Sequence, residues 1–500
     1  MASPRFLRVH PVGPPPAGSR PGVAFPGEQA LRDGIAAIRD ELAVSEEFPA
    51  EVVAAAEAAA AAPRLPGLDR TDIEFVTIDP PGARDLDQAL HVERDGDGFV
   101  VHYAIADVGA FVTPGDPVDV EANKRGQTLY GADSKIPLHP PVISEQAGSL
   151  LPDQVRPAIL WTIALDSAGE RTAATVERAM VRSRAQLSYE EAQAVVGGAA
   201  SDAEKGSVGE STLRLLAEVG PLRIALEAAR GGVSLPLPEQ EIVITEDRWQ
   251  LEFRSLIPVE EWNAQISLLT GMAAASLMVG ARVGLLRTLP PAEERDVDRL
   301  RATAHALGIA WAPETSYPEF VRSLDPADSR HAAMVLACTR LFRGSGYVGF
   351  DGELPDHTGH AAVAADYAHV TAPLRRLVDR YAGEICVALS AGEPVPGWVL
   401  DKLDSVPAVM RESGTLAGRY AREVLNLTEA VLLHDRVGER FAAAVMEVDE
   451  KRPERGDITI LEPAIEARAE GTRPLPLGEE ITVVLTEADP ATRTVRFEVG

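Results

Sequence analysis

Ile78-Asp79-Pro80-Pro81-Gly82-Ala83-Arg84-Asp85-Leu86-Asp87-Gln88-Ala89-Leu90 is the most informative stretch of this 500-residue chain. A run with β character, Ile73-Glu74-Phe75-Val76-Thr77-Ile78, leads into it. Pro80, Pro81 and Gly82 then force a turn, because proline fixes φ and glycine tolerates values that other residues avoid. Asp79, Asp85 and Asp87, held around such a turn, can point at one small volume. Uncompensated, they would repel each other and some would take up protons. A hard divalent cation such as Mg2+ resolves the conflict, taking carboxylate oxygens while keeping positions for water and a substrate phosphate. An acidic, solvated loop is the competing reading of the turn taken alone.

Outward from the turn, the composition is that of an ordinary globular protein of roughly three domains, with 45% apolar and 25% charged residues. The 76 acidic and 48 basic residues give a formal net charge of −28. That balance argues against a nonspecific coat on nucleic acid or membrane. A local basic groove remains compatible with it, because exposed charges are screened beyond about 8–10 Å at ordinary ionic strength. Cys338 and Cys386 lie in apolar helical surroundings, far apart in sequence, which points to two packed thiols and a reducing cytoplasm. The N-terminus lacks the basic head and apolar core of a signal peptide, and no apolar run is read as long enough to span a bilayer. The expectation is a cytoplasmic protein without a membrane partner.

Residues 1–27 are rich in Pro and Gly and read as extended or partly disordered. Helices follow at about 28–43 and 48–62, the second ended by Pro63, and 1–67 reads as a partly helical N-terminal extension. From about 70 to 182 the pattern is mostly strand, including Gly98–Asp107 and Ala158–Leu165. Helices are expected at about 188–196, 211–230, 258–284, 295–307, 328–342, 373–390 and 397–434, with a strand pair near 241–254. The tail changes character at Arg440. Phe441–Val448, Asp457–Ile460, Glu480–Leu485 and Thr494–Val499 suit a small OB-type barrel over 440–500. The fold class is α+β.

Further motifs follow the acidic turn in order: Ala104-Ile105-Ala106-Asp107-Val108, Gly126-Gln127-Thr128-Leu129-Tyr130, Ile136-Pro137-Leu138-His139-Pro140, His357-Thr358-Gly359, and Tyr367-Ala368-His369-Val370-Thr371-Ala372-Pro373-Leu374-Arg375-Arg376-Leu377-Val378-Asp379-Arg380. In this order and spacing the chain resembles the ribonuclease II family, 3′-to-5′ exoribonucleases built on the RNB catalytic domain. The resemblance covers about residues 70–435, and the C-terminal barrel stands in the place of the family's S1 domain. It implies an RNB-type catalytic domain over 68–435, a mixed sheet surrounded by helices. It also implies Mg2+-dependent hydrolysis (Mn2+ being the other candidate) of single-stranded RNA, threaded by its 3′ end, to nucleoside 5′-monophosphates. A monomer that does not act on DNA is expected.

By the same resemblance, Asp79, Asp85 and Asp87 match three of the four acidic positions of the metal-site motif, and Gln88 falls on the fourth. Arg375 matches the catalytic arginine, whose planar fork grips phosphate oxygens in a way that lysine cannot. Read from the residues alone, Arg375 is equally a helix-start residue paired with Asp379 at i+4. Tyr130 matches an aromatic that stacks on a terminal base, a contact worth about 1–3 kcal/mol in general, and a core tyrosine is the alternative. Tyr189 matches a second RNA-contacting tyrosine, or is an ordinary first-turn residue. Arg376 and Arg380 are expected in the basic channel, and His357 and His369 as structural hydrogen-bonding residues.

Three departures stand against the resemblance. Gln88 can still ligate a metal through its carbonyl, but it brings no charge and cannot accept a proton, so weaker metal binding, or one ion where relatives hold two, is expected. Leu235 falls where a partner aromatic would complete the base sandwich. Ser267 lies near the position of a catalytic-site glutamate. The paired N-terminal cold-shock barrels of the family have no counterpart in this sequence. A non-catalytic RNA-binding or regulatory relative is therefore the second hypothesis. A sugar-nucleotide transferase using Asp85-Leu86-Asp87 is a third, without a convincing nucleotide-binding βαβ unit to support it.

Overall fold

The runs read as strands between residues 70 and 187 pair into one sheet that closes on itself. Gln88–Asp95, Gly98–Ala106, Val155–Leu165 and Arg171–Leu187 follow one another antiparallel. Phe75–Ile78 completes the ring, antiparallel to Gln88–Asp95 and parallel to Arg171–Leu187. The expected mixed sheet is thus a five-stranded barrel with one parallel seam. These are the features of a computed structural model that describes residues 8–11, 27–132, 134–198, 209–244 and 249–500. The expectation of an extended or disordered 1–27 therefore lies largely outside the described residues. Within it, Arg8–Pro11 forms a strand parallel to Glu239–Ile244, which in turn pairs with Trp249–Arg254.

Alternation along the barrel strands explains its two buried faces. Val101, Tyr103, Ile105, Trp161 and Ile163 pack on one side with the helices Glu210–Arg230, Pro258–Ala281 and Leu377–Ala391. Ala104, Ala106, Ala158 and Leu160, the residues in between, face the other side with Phe75, Leu86 and the N-terminal helix Ala50–Ala61. Pro258–Ala281 is long and apolar enough to cross a membrane by length and composition. That corrects the reading of the sequence, in which no such run was recognised. Its apolarity has a local cause, since Ile266, Leu269, Ala273, Ala274 and Met278 are all buried in the core. At Gly271 this helix meets the Tyr367-Ala368 backbone so closely that a Cβ would overlap the Tyr367 ring. The Ala368 N–H donates to the Gly271 carbonyl there (3.2 Å).

Several elements differ from expectation. The helix read from 373 begins at Leu377, because Arg376 is held extended in a bridge to Gln127. The helix read from 397 is two, Gly397–Leu400 and Val406–Leu433. The helix read to 284 ends at Ala281, and Val283–Thr288 pairs antiparallel with Gly346–Asp351, a pairing absent from the sequence reading.

The tail is a second closed five-stranded barrel, to which Ile465–Glu470 contributes a strand missed in the sequence. Phe441 and Phe497 meet edge to face in its core, with ring centroids 5.7 Å apart. Leu31, Ile35 and Ile38 of the helix Glu28–Leu42 are fully buried against Tyr420, Val424 and Leu427 of the long helix, in the same cluster as the barrel core. Arg493 at the barrel pairs with Glu41 and Glu423. The N-terminal helix thus ties the second barrel to the long helix Val406–Leu433.

Candidate active site

The acidic turn sits where Phe75–Ile78 leaves the first barrel and Gln88–Asp95 re-enters it. Gly82 takes a left-handed φ of 79°, a conformation that glycine adopts without steric cost. The turn is pinned from several sides. The Leu86 side chain is fully buried, its N–H donates to Ser149 Oγ (3.0 Å), and Ser149 Oγ donates to the Arg84 carbonyl (2.6 Å). The Gln186 side chain holds the Ala83 carbonyl at 2.8 Å. Leu86 thereby anchors the turn in the core cluster of Phe75, Ala104 and Leu374, with Asp85 and Asp87 on either side of it in sequence.

Each carboxylate has a distinct environment. Asp87 is buried, with Oδ1 accepting the Leu374 N–H (2.8 Å) and Oδ2 lying 3.2 Å from Arg375 Nε. Burial pushes its pKa up to about 8, against the pull of Arg375 and of the Leu374 N–H. Asp79 is anchored by its own N–H to the Leu187 carbonyl (3.0 Å). Its Oδ2 is buried without a hydrogen-bond partner among the described residues. Burial raises it to about 7, with Arg375 opposing and Asp85 reinforcing the shift. Asp85, the third carboxylate of the turn, has Lys135 Nζ 2.7 Å from its Oδ1, and the same ammonium reaches Glu145 at 3.0 Å. The Gln88 amide donates to the Thr371 carbonyl.

Arg375 is therefore the partner of Asp87, and the i+4 pairing with Asp379 does not form. Arg376 takes Asp379 instead, two-pronged at 2.9 and 2.7 Å, while Asp379 Oδ1 also accepts the Ala372 N–H (2.7 Å). Arg376 is thus committed to holding the Ala372–Arg376 turn. Arg380 is corrected outright. It is buried, bonded to Asp119 at 2.5 Å and to the Val112 carbonyl at 3.3 Å, and a guanidinium so enclosed cannot line a channel.

Tyr130 joins the site. The residue is exposed, and the charge of Arg375 bears on its hydroxyl. Main-chain links bind the two loops: Thr128 N–H donates to the Arg375 carbonyl (3.0 Å), Leu377 N–H to the Gly126 carbonyl (2.9 Å), and Gln127 bridges Arg376. Tyr189 is the half-buried first residue of Tyr189–Val196, after a Ser188 capping box, and packs on the core beside the barrel. Leu235 packs on the apolar cluster under the 294–338 helices. Ser267 bonds the buried Tyr103 hydroxyl (2.9 Å), whose acidity the charge of Asp79 further suppresses after burial itself. His369 bonds Tyr347 (2.7 Å) and His357 reaches the Leu289 carbonyl (3.1 Å), both structural contacts of the kind expected.

Lys135 is the residue that sequence reasoning missed. It sits opposite Tyr130 in the short hairpin of Leu129–Tyr130 and Lys135–Ile136. The Gly131-containing turn between two short apolar–polar pairs was the signal available for it.

No group of three or more His, Cys, Asp or Glu side chains converges as a ready-made cage among the described residues. The donor chemistry nevertheless fits one hard cation. Asp79 and Asp87 are desolvated carboxylates, Asp79 with an orphaned oxygen, and Gln88, its amide N–H fixed on Thr371, has a carbonyl to contribute.

Residues 68–389 match the model of the RNB domain. The chain belongs to the RNB family. Residues 439–500 match the RNase II-type exonuclease C-terminal S1 domain, the second barrel. Among curated relatives, ribonuclease R of Aquifex aeolicus is 25% identical over 383 residues, covering 74% of this chain and 53% of the relative. Ribonuclease R of Escherichia coli is 28% identical over 323 residues, 62% of this chain and 39% of the relative. This chain therefore spans about half or less of the length of these relatives. Mycoplasma genitalium RNase R, solved in complex with ribose-methylated single-stranded RNA, superposes with a TM-score of 0.82 at 18% identity, over 95% of this chain and 78% of that one. Yeast Ssd1, described as a pseudonuclease, superposes with a TM-score of 0.63 at 18% identity, over 81% of this chain and 50% of that one. At such identities these two likenesses speak for the fold.

Proposed function

We propose that this chain is a divalent-metal-dependent 3′-to-5′ exoribonuclease that hydrolyses single-stranded RNA to nucleoside 5′-monophosphates, with Mg2+ as the working ion. The observation that carries the reading is the facing pair of Arg375 and Asp87 beside the orphaned Asp79 oxygen. Phosphoryl transfer spreads negative charge over phosphate oxygens, and a fixed guanidinium fork is suited to receive it. Asp79, Asp87 and the Gln88 carbonyl would hold the ion, which when bound supplies Lewis-acid stabilisation and a nucleophilic water. Arg375 orients the phosphate, the exposed Tyr130 offers a stacking surface to the terminal base, and the Asp87–Leu374 hydrogen bond keeps carboxylate and arginine loop in register. RNA as the polymer is supported by the family and by the RNA-bound neighbour.

The test is degradation of end-labelled RNA and matched DNA with Mg2+, Mn2+ or chelator. Asp87→Asn is expected to abolish mononucleotide release, by at least about a hundredfold, while leaving RNA binding in place. Undiminished hydrolysis by that variant would refute the assigned chemistry. A second reading, a non-catalytic RNA-binding relative, draws on the neutral Gln88 and on the lysine bound to Asp85. Binding without any nucleotide release by the unaltered protein would favour it.

A further inference from the structure

The ion pairs of Lys135 carry a further conclusion, one that rests on the reading that a divalent cation lodges at the acidic turn. Lys135 Nζ lies 2.7 Å from Asp85 and 3.0 Å from Glu145. All three side chains are largely covered, at 25%, 16% and 22% exposure, so the pairing is only partly screened by water and the ammonium is held in one place. Asp85 belongs to the same turn as Asp79 and Asp87, two residues before the latter. Two carboxylates flanking one point are what a second hard cation would seek, and here a side-chain ammonium already occupies that point. The neighbouring Gln88 withholds a further negative charge, so charge is balanced with a single free ion.

We propose that Lys135 is a tethered cation that takes the place of a second metal ion, making this a one-ion site, and that it acts as a positioning residue by fixing Asp85 away from the metal. An ammonium carries three N–H groups, and the two carboxylates account for two. A lysine cannot dissociate or be chelated, so the half of the site around Asp85 and Glu145 would be insensitive to metal concentration.

The discriminating experiment counts bound Mn2+ by electron paramagnetic resonance during titration of the metal alone into the full chain. The unaltered protein is expected to bind one ion, and Lys135→Met two, the second at least about tenfold tighter than any further binding to the unaltered protein. Lys135→Arg should behave as the unaltered protein does. Adding Asp85→Asn to Lys135→Met should return the count to one. Should Lys135→Met fail to fold by circular dichroism, Asp85→Asn alone still decides. It should leave affinity for the single ion within about threefold, and a loss of tenfold or more would make Asp85 a ligand and overturn the proposal. Equal counts in the unaltered and Lys135→Met proteins would also overturn it. Absence of bound Mn2+ in every variant would instead overturn the metal reading beneath it.

Discussion

Nε of Arg375 stands 3.2 Å from Oδ2 of Asp87, joining the turn that opens the first barrel to the loop that precedes the helix Leu377–Ala391. The carboxylate is almost wholly covered while the guanidinium is nearly half exposed, so the arginine has one edge on protein and another facing outward. Arg375→Lys keeps the charge and loses the planar fork. We expect its kcat on single-stranded RNA to fall about a hundredfold, with Kd for RNA and Tm close to those of the unaltered protein. Single-turnover degradation measures this, and full activity in the lysine variant would show that no fork is needed.

The metal-free protein should lose stability as pH rises through neutrality. An unfolded aspartate titrates near 3.8, whereas burial raises Asp79 to about 7 and Asp87 to about 8. Between those values the native chain keeps protons that the unfolded chain has lost, so their contribution to stability falls from pH 4 toward pH 8. Mn2+ binding should strengthen over the upper part of that window, since it requires the deprotonated carboxylates and releases their protons. Tm in chelator, measured against pH, should decline less steeply for Asp79→Asn. Parallel curves for the two proteins would count against the raised pKa.

Arg380→Met separates a structural arginine from a channel arginine. Removing it strands Asp119 in the interior, which costs about 3–5 kcal/mol for a buried pair broken on one side. We expect a marked fall in Tm and, at a temperature where the variant is folded, unchanged RNA affinity. Weakened RNA binding at unchanged Tm would return Arg380 to the channel.

Gly271→Ala tests the contact between the central helix and the segment that leads to Arg375. A methyl there crowds the Tyr367 ring and the Ala368 carbonyl, and overpacking of this kind costs about 1–3 kcal/mol. Denaturant unfolding should show that loss, and activity should fall with it because the segment continues into the arginine loop. Unchanged stability would mean that the contact relaxes freely.

Local features of the site could be read from the residues. A proline- and glycine-forced turn, two aspartates a strand-period apart around an inward leucine, and strand runs of β-branched residues all act over a few positions. What escaped was long-range. Arg380 resembles any basic residue on a helix until Asp119, far upstream in the sequence, closes over it. Arg375 and Arg376 are adjacent, and which of them takes Asp379 is set by long-range contacts of this loop, among them the bridge from Arg376 to Gln127 and the pairing of Arg375 with Asp87. Lys135 lies in a hairpin of two-residue strands, too short for periodicity to register. Closure of the mixed sheet into a barrel depended on one parallel seam between its first and last strands, a pairing that no local pattern specifies.

The lacing of residues 126–128 to 375–377 has a consequence for how the proposed enzyme would advance along RNA. Tyr130 and Arg375 lie on loops joined by these main-chain bonds, so the span from a stacked terminal base to the phosphate being cut would be set by backbone geometry. Such a linkage acts as a ruler whose stride is indifferent to which base occupies the end, and it would release nucleotides singly from purine and pyrimidine tracts alike.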